Sequence, residues 1–281
     1  MKTVTFRNGR TVPALGMGTW NMGDSSVRRS DEIDSLRLGV EVGLRVIDTA
    51  EMYGDGRSES LVGEAISDIR DDVFLVSKVL PSNASYDSVL RSCRRTLKRL
   101  DTDWLDMYLL HWRGTTPLEE TIRAFKTLEA DGMIRGWGVS NFDVSDMEEL
   151  KAASDECQVN QILYSLEHRG TEFDLLAYNQ KASAVTMAYS PLGQGGDLLQ
   201  NPVLKEIAQR YETDLGPAQP AQIALAWVMR QENVLAIPKA GTPDHLLANV
   251  ASQAISLTEE DLKILDNAFP PPSSKVSLAV I

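Results

Sequence analysis

Val46-Ile-Asp-Thr-Ala-Glu-Met-Tyr53 ends an apolar strand with an acid and places a phenol just beyond it. If the strand belongs to an α/β barrel, Asp48 and Tyr53 reach the same mouth, because strand ends open together at one face. A lone carboxylate buried there would be costly, or would shift its pKa until it no longer ionised. The stretch therefore calls for a cation, and the rest of the chain is read for one.

Outward from this stretch, apolar runs and helical patterns alternate. The run Val73-Phe-Leu-Val-Ser77 ends at Lys78, and the run 104–110 ends at His111. Residues 134–139 deliver Ser140 and Asn141, 157–161 end at Gln161, 184–189 end at Tyr189, and 234–237 end at Pro238 and Lys239. Upstream, residues 15–20 read as a glycine-thinned strand, and Asn8-Gly9 reads as the tight turn of an opening hairpin between Thr3 and Pro13. Ser30 is read as an N-cap, and Thr116-Pro117 with Glu119 and Ser145 with Glu148 as capping boxes. Helices over 202–211 and 220–230 separate the seventh and eighth strands, and one over 258–267 follows the helix at 244–251.

Alternation of eight strands with helices, without a linker or a shift in composition, predicts a closed (β/α)8 TIM barrel. The expected architecture is one domain over 1–281, with an N-terminal β-hairpin and an extra C-terminal helix. A Rossmann sheet loses its main signal, because Gly16-Met-Gly18 has no third glycine and opens no helix.

Composition narrows the classes further. The 281 residues carry a formal charge of −12 and a pI near 4.8, the opposite of a nucleic-acid footprint. No apolar run is long enough to span a bilayer, and the N-terminus has no secretory h-region. Cys93 and Cys157 are far apart in sequence, which suggests free thiols in a reducing compartment. The expected protein is cytoplasmic and monomeric, with neither nucleic acid nor membrane as partner and with no metal.

The chemistry comes from the residues at the strand ends. Singly, Asp48 could cap a turn, Lys78 could snorkel, and His111 could be a hydrogen-bonded structural histidine. Together they suit proton donation, since Lys78 neutralises Asp48 and, lying beside Tyr53, lowers the phenol pKa from about 10 toward the working range. Tyr53 could then give a proton to a developing alkoxide while His111 orients the carbonyl oxygen.

These residues resemble a known family. Phe6 to Gly18, Asp48-Thr-Ala-Glu-Met-Tyr53-Gly, Ser77-Lys78-Val, Leu110-His111-Trp112, Gly138-Val-Ser-Asn141-Phe, Asn160-Gln161, Tyr189-Ser-Pro-Leu-Gly193 and Ile237-Pro-Lys239 together look like an aldo-keto reductase. Within the family the chain is most similar to short bacterial members that reduce small aldehydes such as methylglyoxal. The resemblance implies an oxidoreductase that binds NADP(H) across the mouth and transfers hydride to a small-molecule carbonyl substrate. It implies Tyr53 as proton donor, supported by Asp48, Lys78 and His111. Ser140, Asn141 and Gln161 would hold the carboxamide, and Tyr189 would stack on the nicotinamide. Thr19 and Trp20 would line the opening, and Ser190, Leu192 and Gly193 would wrap the pyrophosphate. Trp20, Tyr53, His111 and Trp112 would wall a rather open substrate pocket.

At the adenosine end the chain departs from the family pattern. Pro238, Lys239, Thr242 and Asn249 are kept, but Ala240 lacks a hydroxyl and His245 stands in place of an arginine. A guanidinium matches a phosphate in a way that imidazole does not, so use of NAD(H) is also expected. Two other readings remain at this stage: a non-catalytic nucleotide-binding subunit that senses redox state, and a lyase or isomerase with Lys78 as a Schiff-base amine.

Overall fold

The computed structural model describes residues 2–281. A hairpin of Thr3–Thr5 (β1) and Thr11–Pro13 (β2) comes first, and barrel strand Met17–Gly18 (β3) and helix Arg29–Glu41 (α1) follow it. The alternation continues through Val46–Asp48 (β4), Arg57–Ile66 (α2), Phe74–Val79 (β5), Tyr86–Leu100 (α3), Met107–Leu110 (β6), Leu118–Ala130 (α4), Trp137–Ser140 (β7), Val144–Ala153 (α5), Val159–Leu163 (β8), Leu175–Lys181 (α6) and Val185–Tyr189 (β9). Pro202–Ala208 (α7), a small hairpin of Glu212–Thr213 (β10) and Gly216–Pro217 (β11), and Pro220–Val228 (α8) precede the eighth barrel strand, Val234–Ala236 (β12). Pro243–Ala251 (α9) and Glu259–Ala268 (α10) complete the helices.

Eight parallel strands run in the order β3-β4-β5-β6-β7-β8-β9-β12. Parallel bridges Leu15 to Ala236 and Gly18 to Lys239 join the two edges and close the (β/α)8 barrel. Closure leaves no free edge in this sheet, and helices cover its outside, which explains why the strands read as continuous apolar runs and not as alternating ones. All six residues of β5 are buried, Lys78 among them.

The seam depends on a close approach. The Gly16 and Gly18 amides donate to the Ala236 and Pro238 carbonyls at 2.8 and 3.0 Å. A Cβ on Gly18 would lie 2.7 Å from the Ile237 carbonyl oxygen.

The opening hairpin plugs the barrel floor. Phe6 stacks on Phe74 with ring centroids 4.5 Å apart, and Val4, Phe6 and Val12 join Val46, Val76 and Leu109 in the inner core. Asn8-Gly9 is not a two-residue turn as expected: only Gly9 has positive φ, and the Gly9 and Phe6 amides bond to the Phe6 and Arg10 carbonyls across a longer loop.

Several helix starts also differ from the sequence reading. No side chain caps α1, so Ser30 is not its N-cap. Pro117 is itself the N-cap of α4, without a box from Thr116 and Glu119. The capping box of α5 is Asp143 with Asp146, two residues earlier than Ser145 with Glu148. In each case a competing Ser, Thr or Asp stands within a turn, and tertiary packing decides which one lies at the boundary. The β10-β11 hairpin was not apparent from the sequence. Among the described residues, no helix is long and apolar enough to cross a membrane.

Gly18→Ala should destabilise the protein by about 1–3 kcal/mol, the usual penalty for overpacking. Urea denaturation would measure this, and an unchanged midpoint would show that the seam can yield.

Candidate active site

Asp48 ends β4 and Lys78 lies near the end of the adjacent β5, so strand pairing alone brings the two side chains to one place. The Lys78 Nζ donates to Asp48 Oδ2 at 2.8 Å, to the Thr49 carbonyl at 2.8 Å and to the Tyr53 hydroxyl at 3.1 Å. Both charged side chains are almost wholly buried. Gln161, expected to end its strand but placed midway along β8, donates to the other carboxylate oxygen at 2.7 Å. Asp48 thus has the cation that its burial demands and an amide donor on its second oxygen.

Tyr53 begins a short 3-10 turn, and the three residues after it set its position. Gly54, Asp55 and Gly56 all have left-handed backbone, which turns the chain sharply away into α2. His111 meets Tyr53 edge-on at 5.8 Å between ring centroids. Its Nδ1 is buried and has no partner among the described residues.

The electrostatics correct one expectation. Burial pushes the Tyr53 hydroxyl above its ordinary value; Lys78 pulls it down, and Asp48 pushes it up again. The net direction is upward, so in this state the cation does not bring the phenol toward neutrality. A phenol that stays protonated at neutral pH is still the form a proton donor needs. Burial also lowers Lys78, but Asp48 and then Tyr53 more than restore it, and the ammonium ends above its ordinary value. A persistently charged Lys78 does not suit Schiff-base chemistry, which needs a free amine. Burial first and Lys78 second drive His111 down to about 3, so its ring is neutral at physiological pH and can donate or accept one hydrogen bond.

A second set of contacts laces the mouth. Tyr189 at the end of β9 donates to Asn141 Oδ1 at 2.9 Å, and Asn141 Nδ2 donates to the His111 carbonyl at 3.2 Å. Asn141 has a φ of 58°, which asparagine tolerates better than most residues. Asn160 Nδ2 holds the next carbonyl, that of Phe142, at 2.9 Å.

Most of the residues expected at the site converge here. Asp48, Tyr53, Lys78, His111, Ser140, Asn141, Gln161 and Tyr189 share the mouth. Trp20 and Trp112 stand half-exposed at its rim, and Met52 joins them. Thr19 departs from expectation. It is wholly buried, with its hydroxyl donating to the Asp48 carbonyl at 2.9 Å and accepting from Ser58 at 2.7 Å, so its side chain does not line the opening.

Along the loop after β9, Ser190, Gly193, Gln194 and Gly195 all have positive φ. At the far end Thr242 caps α9 through the His245 amide, and Lys239 and His245 are exposed beside it. Three features escaped the sequence reading. The Thr49 carbonyl could not be seen, because backbone acceptors carry no residue signature. Met52 was legible only as an apolar residue inside the loop. The tail lies back along the loop after β8, with Lys275 reaching Asp143 at 2.5 Å and Asp174 at 2.7 Å.

A barrel whose mouth holds a buried Asp–Lys pair against a tyrosine, with a neutral histidine opposite, defines an oxidoreductase-type site for carbonyl chemistry. The chain belongs to the aldo/keto reductase family, whose sequence profile matches residues 14–269. It is 45% identical over 286 residues to methylglyoxal reductase YeaE of Escherichia coli (strain K12), covering 100% of this chain and 99% of that one. It is 34% identical to glyoxal reductase of Bacillus subtilis (strain 168) over 268 residues, covering 94% and 91%. An aldo-keto reductase from Klebsiella pneumoniae, solved in complex with NADPH, superposes with a TM-score of 0.96 at 46% identity, covering 100% of this chain and 99% of that one.

The depressed His111 pKa has a consequence for stability. Unfolding frees the imidazole to take up a proton near pH 6.5, whereas the folded chain resists until about 3. The contribution is therefore fully present above pH 6.5 and is lost as pH falls toward 3, with a slope of at most about 1.4 kcal/mol per pH unit. Urea denaturation between about pH 7 and about pH 5 should show this slope in the wild type and a flatter one in His111→Gln; equal slopes would exclude a buried neutral histidine.

Proposed function

We propose that the chain is an NADPH-dependent reductase of small aldehydes and ketones, methylglyoxal-like carbonyls foremost, with Tyr53 as proton donor. One observation carries the reading: the Tyr53 hydroxyl lies 3.1 Å from an ammonium that Asp48 holds at 2.8 Å. As an alkoxide develops on the substrate, Tyr53 Oη gives up its proton, and Lys78 stabilises the phenolate left behind. Asp48 and the Thr49 carbonyl keep Lys78 aimed at that oxygen. Neutral His111 donates a hydrogen bond to the carbonyl oxygen and holds it toward Tyr53.

The residues fit NADP(H). Left-handed backbone at Ser190, Gly193, Gln194 and Gly195 is of the kind that turns N–H groups toward a pyrophosphate, and Leu192 lies among them. Ser140, Asn141 and Gln161 form an amide and hydroxyl cluster suited to the carboxamide, with Tyr189 beside it. Exposed Lys239, at the end of the Ile237-Pro238 run, and the N-terminal turn of α9 with Thr242 and His245 suit a phosphate, and Asn249 lies further along α9. When bound, the cofactor supplies the hydride. The relatives' names, methylglyoxal reductase and glyoxal reductase, support a small carbonyl substrate. Half-exposed Trp20, Met52 and Trp112 would flank it at the rim.

The same reading has a single barrel domain working as a cytoplasmic monomer, without nucleic-acid or membrane partners; the charge of −12 supports it. A non-catalytic nucleotide sensor would have no use for a complete Asp48, Tyr53, Lys78 and His111 set. Because His245 replaces a guanidinium, NAD(H) should be accepted as a weaker alternative.

Tyr53→Phe should lower methylglyoxal reduction by about a hundredfold to ten-thousandfold with NADPH binding retained; steady-state rates and cofactor fluorescence would read the two, and unchanged turnover would reject the mechanism. His245→Arg should raise the preference for NADPH over NADH by about tenfold, the worth of one charge-assisted hydrogen bond. Ratios of kcat/KM for the two cofactors would decide, and an unaltered ratio would place phosphate discrimination elsewhere.

A further inference from the structure

At the floor of the barrel, opposite the mouth, three guanidiniums converge on one carboxylate. Asp106, just ahead of β6, is almost fully buried and lies 2.5 Å from Arg10, 3.1 Å from Arg70 and 3.8 Å from Arg135. Arg70 is committed: besides Asp106 it donates to the Thr102 hydroxyl and to the Val73 and Trp104 carbonyls. Asp106 also accepts from the Leu75 amide, so its capacity is largely used.

The other two arginines differ from Arg70. Arg10 makes one side-chain hydrogen bond, to Asp106 Oδ1, and Arg135 approaches that same oxygen without reaching hydrogen-bond distance. A guanidinium carries five N–H donors, so most of those on Arg10 and Arg135 are unused. Their side chains are 34% and 51% exposed, which leaves these donors open to solvent. Both arginines are braced from behind, Arg135 over Trp104 at 4.6 Å and Arg10 over Phe74 at 5.2 Å. The buried indole N–H of Trp104 finds no acceptor among the described residues. Nearby arginines are balanced: Arg45 pairs with Asp72 and Arg7 with Asp155.

The geometry points to an oxyanion site on the barrel floor, in which Arg10 and Arg135 bind a phosphate dianion beside Asp106. Three cations against one carboxylate leave two positive charges uncompensated, which a dianion neutralises and a single carboxylate would not. Phosphate oxygens suit the planar N–H forks of guanidiniums, which bind them in pairs. The site is separate from the cofactor's own phosphate groups, which belong at the opposite end of the strands.

Isothermal titration of inorganic phosphate into protein saturated with NADP+, at constant ionic strength, tests this, because the cofactor blocks the phosphate positions at the mouth. One site per chain is expected, weakened at least tenfold (about 1.4 kcal/mol) in Arg135→Gln and in Arg10→Gln. Carbonyl turnover should be unchanged in Arg135→Gln, and this also shows that the variant folds. Absence of binding in the wild type, or wild-type affinity retained in both variants, would overturn the proposal. A parallel titration with methyl phosphate distinguishes the source: tighter binding than the free ion assigns the site to a phosphorylated metabolite, weaker binding to phosphate itself, and either upholds it.

Discussion

Everything at the mouth depends on the ion pair between Asp48 and Lys78. Two charges taken from water into a barrel interior cost more than their attraction returns unless every remaining lone pair and proton is engaged. Here they are engaged: Gln161 holds the second carboxylate oxygen, and the Thr49 carbonyl and Tyr53 hydroxyl take further ammonium protons. Removing either partner would leave an uncompensated buried charge. The pair therefore adds little to stability but fixes one geometry, and Tyr53 inherits that geometry.

The pair also shapes its surroundings over distance. Lys78 contributes to holding His111 neutral, so a single cation keeps one neighbour from charging while it hydrogen-bonds the Tyr53 hydroxyl, where on the proposed function it would stabilise a phenolate. These demands are compatible only because burial separates them from solvent screening. The same burial that raises Tyr53 would make the ammonium effective toward the phenolate of the proposed mechanism, since a charge contact is worth more in a low-dielectric setting than in water.

Much of this was legible in the sequence because barrel topology converts position along a strand into position at the mouth. Asp48, Lys78 and Tyr189 could be placed together from strand ends alone, whereas β8 runs two residues beyond Gln161. Features decided by side-chain direction or backbone geometry were not legible. Thr19 faces inward because its hydroxyl closes a local network with Ser58 and Asp48, which residue type does not reveal. The direction of the Tyr53 shift depends on the balance between desolvation and a cation, and only the buried geometry sets that balance. Helix caps at Asp143 and Pro117 slipped by a residue or two, as boundaries do where several capping residues compete.

The lacing of the mouth through Asn141 separates what the protein does from what it acts upon. One amide joins the ends of β6, β7 and β9, so the reacting groups sit in a lattice that tolerates little change. Trp20, Met52 and Trp112 stand outside that lattice, half in solvent, and surface replacements of this kind usually alter stability by less than about 0.5 kcal/mol. Mutation can therefore explore the rim while the chemistry stays intact. On the proposed function such a barrel is open to change at its rim, where replacements alter the surface that meets a substrate before they alter the groups that react.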